Sequence, residues 1–364
     1  HSCPTRRASD LAEVRRISLT NHGLKAASLE VTSFFELALS HQDSDLAHPA
    51  FNNLFVQTEP VLEYNCILAH RRPRSERDPG LFALHQVTVQ GESVGSLQYE
   101  TNRGNFIGRG MDISCPSALH QPLTNTSGQV LDPVMSLRRQ IKLGPGQSAT
   151  ITFITAQGST RREMLELAAK YDDIAASQRA FDMAATRSQV ESRFLNLNPQ
   201  LLAASQLAIG HLVFLSPTRR RHQELLAKNS LAQQALWAQG ISGDNPIVLI
   251  CVEDTEEIRI VEEAILAHEY WRFKGLVVDL VILHRGKGGY LAPVRELVRD
   301  MVQLIRITDI LDRPGGIYIR GANQLTDAEK YLFHGAARLI LGPGSLGEQL
   351  EAESPSLPDE KEFW

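Results

Sequence analysis

Four cysteines in 364 residues are too few to brace a disulfide scaffold, and no two form a Cys-x-x-Cys pair. Cys66 and Cys251 sit inside apolar runs, as buried thiols do, and this usage points to a reducing compartment. No apolar run reaches the ~18 residues of a membrane helix. The opening His1-Ser2-Cys3-Pro4-Thr5-Arg6-Arg7 lacks the apolar centre of a signal peptide. The expectation is a soluble, cytoplasmic chain with no membrane span. It opens without Met, shortly before a strand, as a fragment would. The net charge of −5 argues against a nucleic-acid partner, which would favour a basic face. Arginines at 71–77 and 219–221 are balanced by acids elsewhere and read as solvated loops.

Several reaction motifs are missing too. His268-Glu269 opens a zinc helix motif, but Arg272 stands where the second histidine belongs. There is no Gly-x-Ser-x-Gly elbow and no phosphate loop of the Gly-x-x-x-x-Gly-Lys type. Asp43-Ser44-Asp45 could hold a metal–nucleotide, yet these are ordinary turn residues and no second acidic cluster lies near. No metal, cofactor or catalytic residue is therefore expected. Gly286-Lys287-Gly288-Gly289 follows a strand; the Lys287 side chain and the Gly288 and Gly289 amides could hold an anion. The alternative is a plain strand-end loop.

What is present divides by pattern. Residues 14–20 read as a strand, and Leu29, Val31, Ser33, Phe35, Leu37 and Leu39 alternate with a more polar set. Further strands are expected over 54–59, 66–71, 81–89, 93–101, 137–143 and 150–156. Asp78-Pro79-Gly80 and Gly144-Pro145-Gly146 mark turns between them. That is the pattern of an antiparallel β-sandwich. From Ser159 the period becomes helical. Asp173 can cap a long helix towards Asn196, and Pro199 can open the next, over 199–214. From Asp244 strands (247–252, 276–283, 316–319) alternate with helices (256–274, 291–305, 326–341), which implies a parallel sheet covered on both faces. Gly275 sits at a helix C-cap position, and Thr326-Asp327-Ala328-Glu329 is a capping start. Right-handed crossovers would bring Val252, Leu283 and Arg320 to one edge. The fold class is α+β and multidomain: sandwich 1–158, helical linker 159–235, small α/β part 236–350 and a Pro- and Glu-rich disordered tail 351–364.

Two stretches are dense in binding-type residues. Tyr99, Glu100, Arg103, Phe106 and Arg109 lie in a run with three glycines; aromatic faces suit apolar ring patches of a sugar, and planar polar groups suit hydroxyls. The alternative is a structural loop closing the sandwich. Trp237 and Asp244 lie in 236–252, which holds Gly240 and Gly243 and is either a ligand loop or a loop feeding a core strand.

Residues 48–59 (HPAFNNLFVQTE), Tyr99–Gly110, Leu131-Asp132-Pro133 before Ser136-Leu137-Arg138-Arg139, 236–249, and 267–272 with 278–283 occur in an order that resembles the NdvB-type cyclic β-1,2-glucan synthetases. The matching section of those enzymes resembles family 94 glycoside phosphorylases, formerly glycosyltransferase family 36. The resemblance implies a supersandwich-like fold, a β-1,2-glucan or gluco-oligosaccharide partner, and other modules of a parent synthetase associated with the bacterial inner membrane. It places the general acid of the related phosphorylases in an Asp-Trp-Asn-Asp-like motif, which this sequence lacks. The family's sandwich also has strands upstream of Glu13, so an exposed edge over 29–39, and with it a homodimer, is expected. Three functions stay open: a non-catalytic module supporting or positioning β-glucan, residual phosphorylase or glycosyltransferase activity using Asp244, and a docking module without ligand.

Overall fold

The computed structural model describes residues 11–73, 80–214, 223–252, 258–284, 296, 300 and 310–353. The chain forms two units that meet in sequence at 186/187, inside a helix over Ile174–Phe194. Helices within 159–235 are thus shared between the two.

The first unit opens with β1 (Ala12–Thr20), β2 (Ala27–Thr32) and β3 (Phe35–Glu36). Two short helices lead to β4 (Val56–Val61), β5 (Cys66–Arg71), β6 (Phe82–Gln90) and β7 (Ser93–Asn102). After a long loop come β8 (Gly128–Gln129), β9 (Pro133–Leu143) and β10 (Ser148–Gly158). Six strands form an antiparallel sheet in the order β1-β10-β6-β5-β4-β8. The second sheet is built on β9, with β2 and β3 along one edge and β7 along the other. Alternation then decides what meets what. Ile67, Ala69, Ala83, Val87, Ile151 and Phe153 of the larger sheet pack on Met135, Leu137, Ile141 and Leu143 of β9. Their neighbours Cys66, Leu68, Leu84, Ile154 and Ala156 face the other way, against Met164, Leu167, Ala168 and Tyr171 of a helix over Arg161–Asp172. The larger sheet is therefore buried on both faces over that half.

The single strand expected over 29–39 is divided. β2 and β3 keep one register on β9, but Ser33 interrupts the ladder. Its N–H donates to Leu137 O at 2.9 Å, while the returning Leu137 N–H donates to Ser33 Oγ at 3.1 Å rather than to the Ser33 carbonyl. A hydroxyl has taken the place that a backbone acceptor holds in a regular antiparallel pair.

In the second unit Asn198 caps the helix Pro199–Val213, accepting from Leu201 N–H. Four parallel strands follow: β11 (Ile247–Val252), β12 (Asp279–His284), β13 (Ile317–Gly321) and β14 (Ala337–Leu341), in the order β13-β12-β11-β14. Val248, Ile250, Leu280 and Ile282 face the helices Pro199–Val213 and Ile258–Phe273. Ile247, Leu249, Val281 and Leu283 face Leu332 and Phe333 of the helix Asp327–Ala336. Burial on both faces explains why these strands are continuously apolar. Val252 pairs with His284 and Leu283 with Arg320, so the three strand ends do share an edge. Gly275 stands after the helix at φ +86°, and Thr326 and Glu329 form the capping box.

One element is corrected. The helix expected over 326–341 stops at Ala336 and becomes β14. Leu332 and Phe333 belong to the helical face, but Ala337, Leu339 and Leu341 are buried with a period of two. A short apolar run after a helix reads equally as more helix, and sheet pairing with β11 decides it. The expected helix over 291–305 and the loop bearing Lys287, Gly288 and Gly289 lie outside the described residues. Among the described residues no helix is long and apolar enough to cross a membrane.

Candidate functional site

The run from Tyr99 to Gly110 ends β7 and enters a loop that returns at β8. Glu100 is buried, and its carboxylate is fully engaged. Oε1 accepts from the N–H of Thr101 at 3.0 Å and of Asn102 at 2.9 Å; Oε2 accepts from the N–H of Thr124 at 3.3 Å and from its hydroxyl. The side chain fastens the far end of the loop to its root. Tyr99 repeats the link in backbone form: its N–H donates to Asn125 Oδ1 at 2.8 Å, and its carbonyl accepts from Asn125 N–H at 2.9 Å.

Asn102 caps the turn of helix over Arg103–Ile107, accepting from Gly104 N–H at 2.9 Å. Phe106 is buried and stacks on Phe34 at 4.4 Å between ring centres, with Ile107, Ala118 and Leu123 around it. It anchors the loop and offers no open face to a sugar. Gly108, at φ +86°, lets the chain pass Ser117 where a Cβ would lie 2.5 Å from that hydroxyl.

Arg138 braces the same loop from below, though its position in the sequence carries no binding signal of its own. It lies on the face of β9 turned away from the sandwich core, yet it is 3% exposed. Its Nε donates to Thr32 Oγ1 at 2.7 Å, and its other nitrogens donate to the carbonyls of Gln121 and Ala118. Burial lowers its pKa, which Glu30 at 3.4 Å partly opposes. Outside the clamp, Arg103 donates to Glu36 at 2.7 Å. Asn105 donates to the hydroxyls of Thr124 at 3.4 Å and Thr126 at 3.1 Å, and those hydroxyls lie 2.9 Å apart. Asn105 and Arg109 are exposed, as are Met111 and Ile113. The arrangement is a rigid loop whose outer surface mixes an amide, hydroxyls, a guanidinium and apolar groups. The threonines at 124 and 126 carried no signal in the sequence, because their partners at Glu100 and Asn105 are 19 to 24 residues away.

Trp237 and Asp244 belong to the second unit. Trp237 is 61% exposed and its indole donates to Ser242 O at 3.2 Å. Asp244 is exposed and accepts from Gln233 Nε2 at 3.0 Å. Gly243, at φ +77°, turns the chain between them. Asp244 lines an open cavity of about 420 Å³ with Asn229, Gln233, Asn245 and Arg338, at the edge of the sheet where β11 and β14 begin. In open parallel sheets ligands gather at the opposite, carboxyl edge. Asp43 and Asp45 lie in the exposed first turn of the helix Gln42–Ala47, and among the described residues no cluster of His, Cys, Asp and Glu could hold a metal ion.

Residues 7–174 match the family model for the glycosyl hydrolase 94 supersandwich domain. The chain is 31% identical over 305 residues to the cyclic β-(1,2)-glucan synthase NdvB of Rhizobium meliloti (strain 1021). That alignment covers 83% of this chain and 11% of the relative's length. The sandwich is thus similar to the glycosyl hydrolase 94 supersandwich domain, within a chain similar to an NdvB-type cyclic β-(1,2)-glucan synthase.

Proposed function

We propose that this chain is a non-catalytic module of a cyclic β-1,2-glucan synthase, and that it positions glucan on the outer surface of the loop after β7. The observation that carries the reading is the state of Glu100. It is the acid of the sugar-like stretch, and each of its carboxylate oxygens accepts twice, Oε1 from the end of β7 and Oε2 from Thr124 of the loop. Such a group braces a surface; it has no capacity left to move a substrate proton. The clamp keeps Asn105 and Arg109 exposed on a fixed backbone, so little ordering has to accompany binding. The similarity to a synthase many times longer makes other modules of such an enzyme the natural neighbours of this one.

The test is calorimetry of the chain with β-1,2-gluco-oligosaccharides, beside an assay for glucose and glucose 1-phosphate release in phosphate. Saturable binding that weakens about three- to tenfold in Asn105→Ala or Arg109→Ala, the worth of one hydrogen bond, with no release, is expected. Sustained release, lost in Asp244→Asn, would replace this reading with an enzymatic one.

A further inference from the structure

The two faces of the larger sheet are not alike along their length. Under the Arg161–Asp172 helix the outward rows are apolar except for Gln86, whose amide donates to Ala168 O at 3.0 Å: Ala12, Ala156 and Leu84 stand abreast, then Val14, Ile154 and Gln86. In the next row the character reverses. Arg16, Thr152 and Thr88 stand abreast, and beyond them Ser18, Thr150 and Gln90. Six adjacent outward positions on three strands thus carry four hydroxyls, one amide and one guanidinium. The following helix, Ile174–Phe194, leans over this patch with Ile174 and Gln178, and the space between is a trough of about 140 Å³.

We propose that this trough is a binding site for a neutral polyhydroxyl ligand, one sugar unit at the end of a chain. Serine and threonine hydroxyls and the glutamine amide can each donate or accept, which matches hydroxyls that do the same. No carboxylate lines the trough. Its one cation is already committed: Arg16 donates to Gln178 Oε1 at 2.7 Å, and its guanidinium lies over the Phe181 ring at 4.6 Å. Two further facts separate this patch from an ordinary wet sheet face. Thr152, at its floor, is only 5% exposed. Arg16 Nε is buried with no hydrogen-bond partner among the described residues. A buried unpaired donor costs about 1–3 kcal/mol, so the site favours a ligand that brings acceptors. At ~30 Å³ per water, the trough has the room of four or five waters. That is room for the edge of one ring. The site is on different strands from the loop of residues 102–126 and does not depend on it.

The experiment is an NMR titration of the full chain with glucose, with β-1,2-linked glucobiose, and with inorganic phosphate. Saturable shifts of the Thr88, Thr150 and Thr152 methyls with glucose and glucobiose, and none with phosphate, are expected. The paired variant Thr88→Val and Thr152→Val keeps side-chain shape and should weaken glucose about tenfold, as loss of two hydrogen bonds implies. Asn105→Ala should leave this binding unchanged. Shifts confined to residues 102–126 would overturn the trough while sustaining the loop. Phosphate shifts that equal those of glucose would overturn the neutral-ligand assignment. Unaltered methyls under every probe would overturn the site itself.

Discussion

Ser33 Oγ lies 2.7 Å from Nε2 of His85, and this contact joins the two sheets of the sandwich through their core. Ser33 stands between β2 and β3, while His85 is on β6. The imidazole is 2% exposed. Phe35 meets it edge-on at 4.8 Å and Phe153 lies parallel at 5.7 Å. Nδ1 is 3.2 Å from Thr155 Oγ1. A polar ring is thus fully housed inside an apolar layer, with a hydroxyl at each nitrogen. The same serine hydroxyl accepts from Leu137 N–H of β9 in place of its own carbonyl, so one side chain serves both the ladder and the core.

That burial makes the first unit acid-sensitive. Desolvation pushes the His85 pKa down from its ordinary 6.5 to about 4. The folded state therefore holds the ring neutral while the unfolded chain takes up a proton. The stabilisation is complete above pH 6.5 and is lost as the pH falls towards 4, by roughly 3 kcal/mol in total. Urea unfolding of the chain between pH 7 and pH 4 should show this slope, and His85→Phe should remove it. An identical pH dependence in the variant would disprove the assignment.

Glu100 and Thr124 give the second prediction. In Glu100→Gln an amide nitrogen must replace one carboxylate oxygen and will face an N–H or hydroxyl that needs an acceptor. The expected cost is about 1–3 kcal/mol, read as a lower urea midpoint. Exchange of the Thr124 and Asn102 amides should quicken while the sheet amides keep their protection. Unchanged exchange at both positions would mean that the clamp does not hold the loop.

The sandwich was legible because its strands alternate and its turns carry Gly and Pro. Cys66–Arg71 and Ile247–Val252 appear with the expected bounds. Caps were legible as well: Asp173 Oδ1 accepts from Ala175 N–H at 2.9 Å, and Thr326 closes its box. Both failures of the strand reading are tertiary. Ser33 keeps the alternation of its neighbours, and nothing local reveals that its hydroxyl will meet Leu137 and His85. Ala337–Leu341 follows a helix without a break, and only β11 makes it a strand. The candidate site shows the same limit. Composition marked 99–110 as dense in binding types, but Thr124 takes the second oxygen of Glu100, Asn125 holds Tyr99 and Phe34 buries Phe106, all from outside that run. Arg138 carried no signal because alternation cannot show that a loop will cover its face of β9.

Asp279 supplies the last prediction, in the second unit. It opens β12 and is fully buried. Its Oδ1 accepts from Gly315 N–H at 2.6 Å and from Asn245 Nδ2 at 3.3 Å. Its Oδ2 is buried with no hydrogen-bond partner among the described residues. Burial raises its pKa above the ordinary 3.8, more than these two hydrogen bonds lower it. The folded state then holds the proton more tightly than the unfolded chain does. The charged carboxylate is a penalty present at neutral pH, relieved as the pH falls through the raised folded value and gone below 3.8. Asp279→Asn keeps an oxygen for Gly315 and Asn245 and removes the charge, so it should unfold at an equal or higher urea concentration at pH 7. Its advantage should vanish towards pH 3.8. Asp279→Ala should instead lose about 1–3 kcal/mol, because the Gly315 N–H is left without an acceptor. If Asn and Ala destabilise alike at pH 7, the charge itself holds the loop before β13, and the balance drawn from burial is reversed.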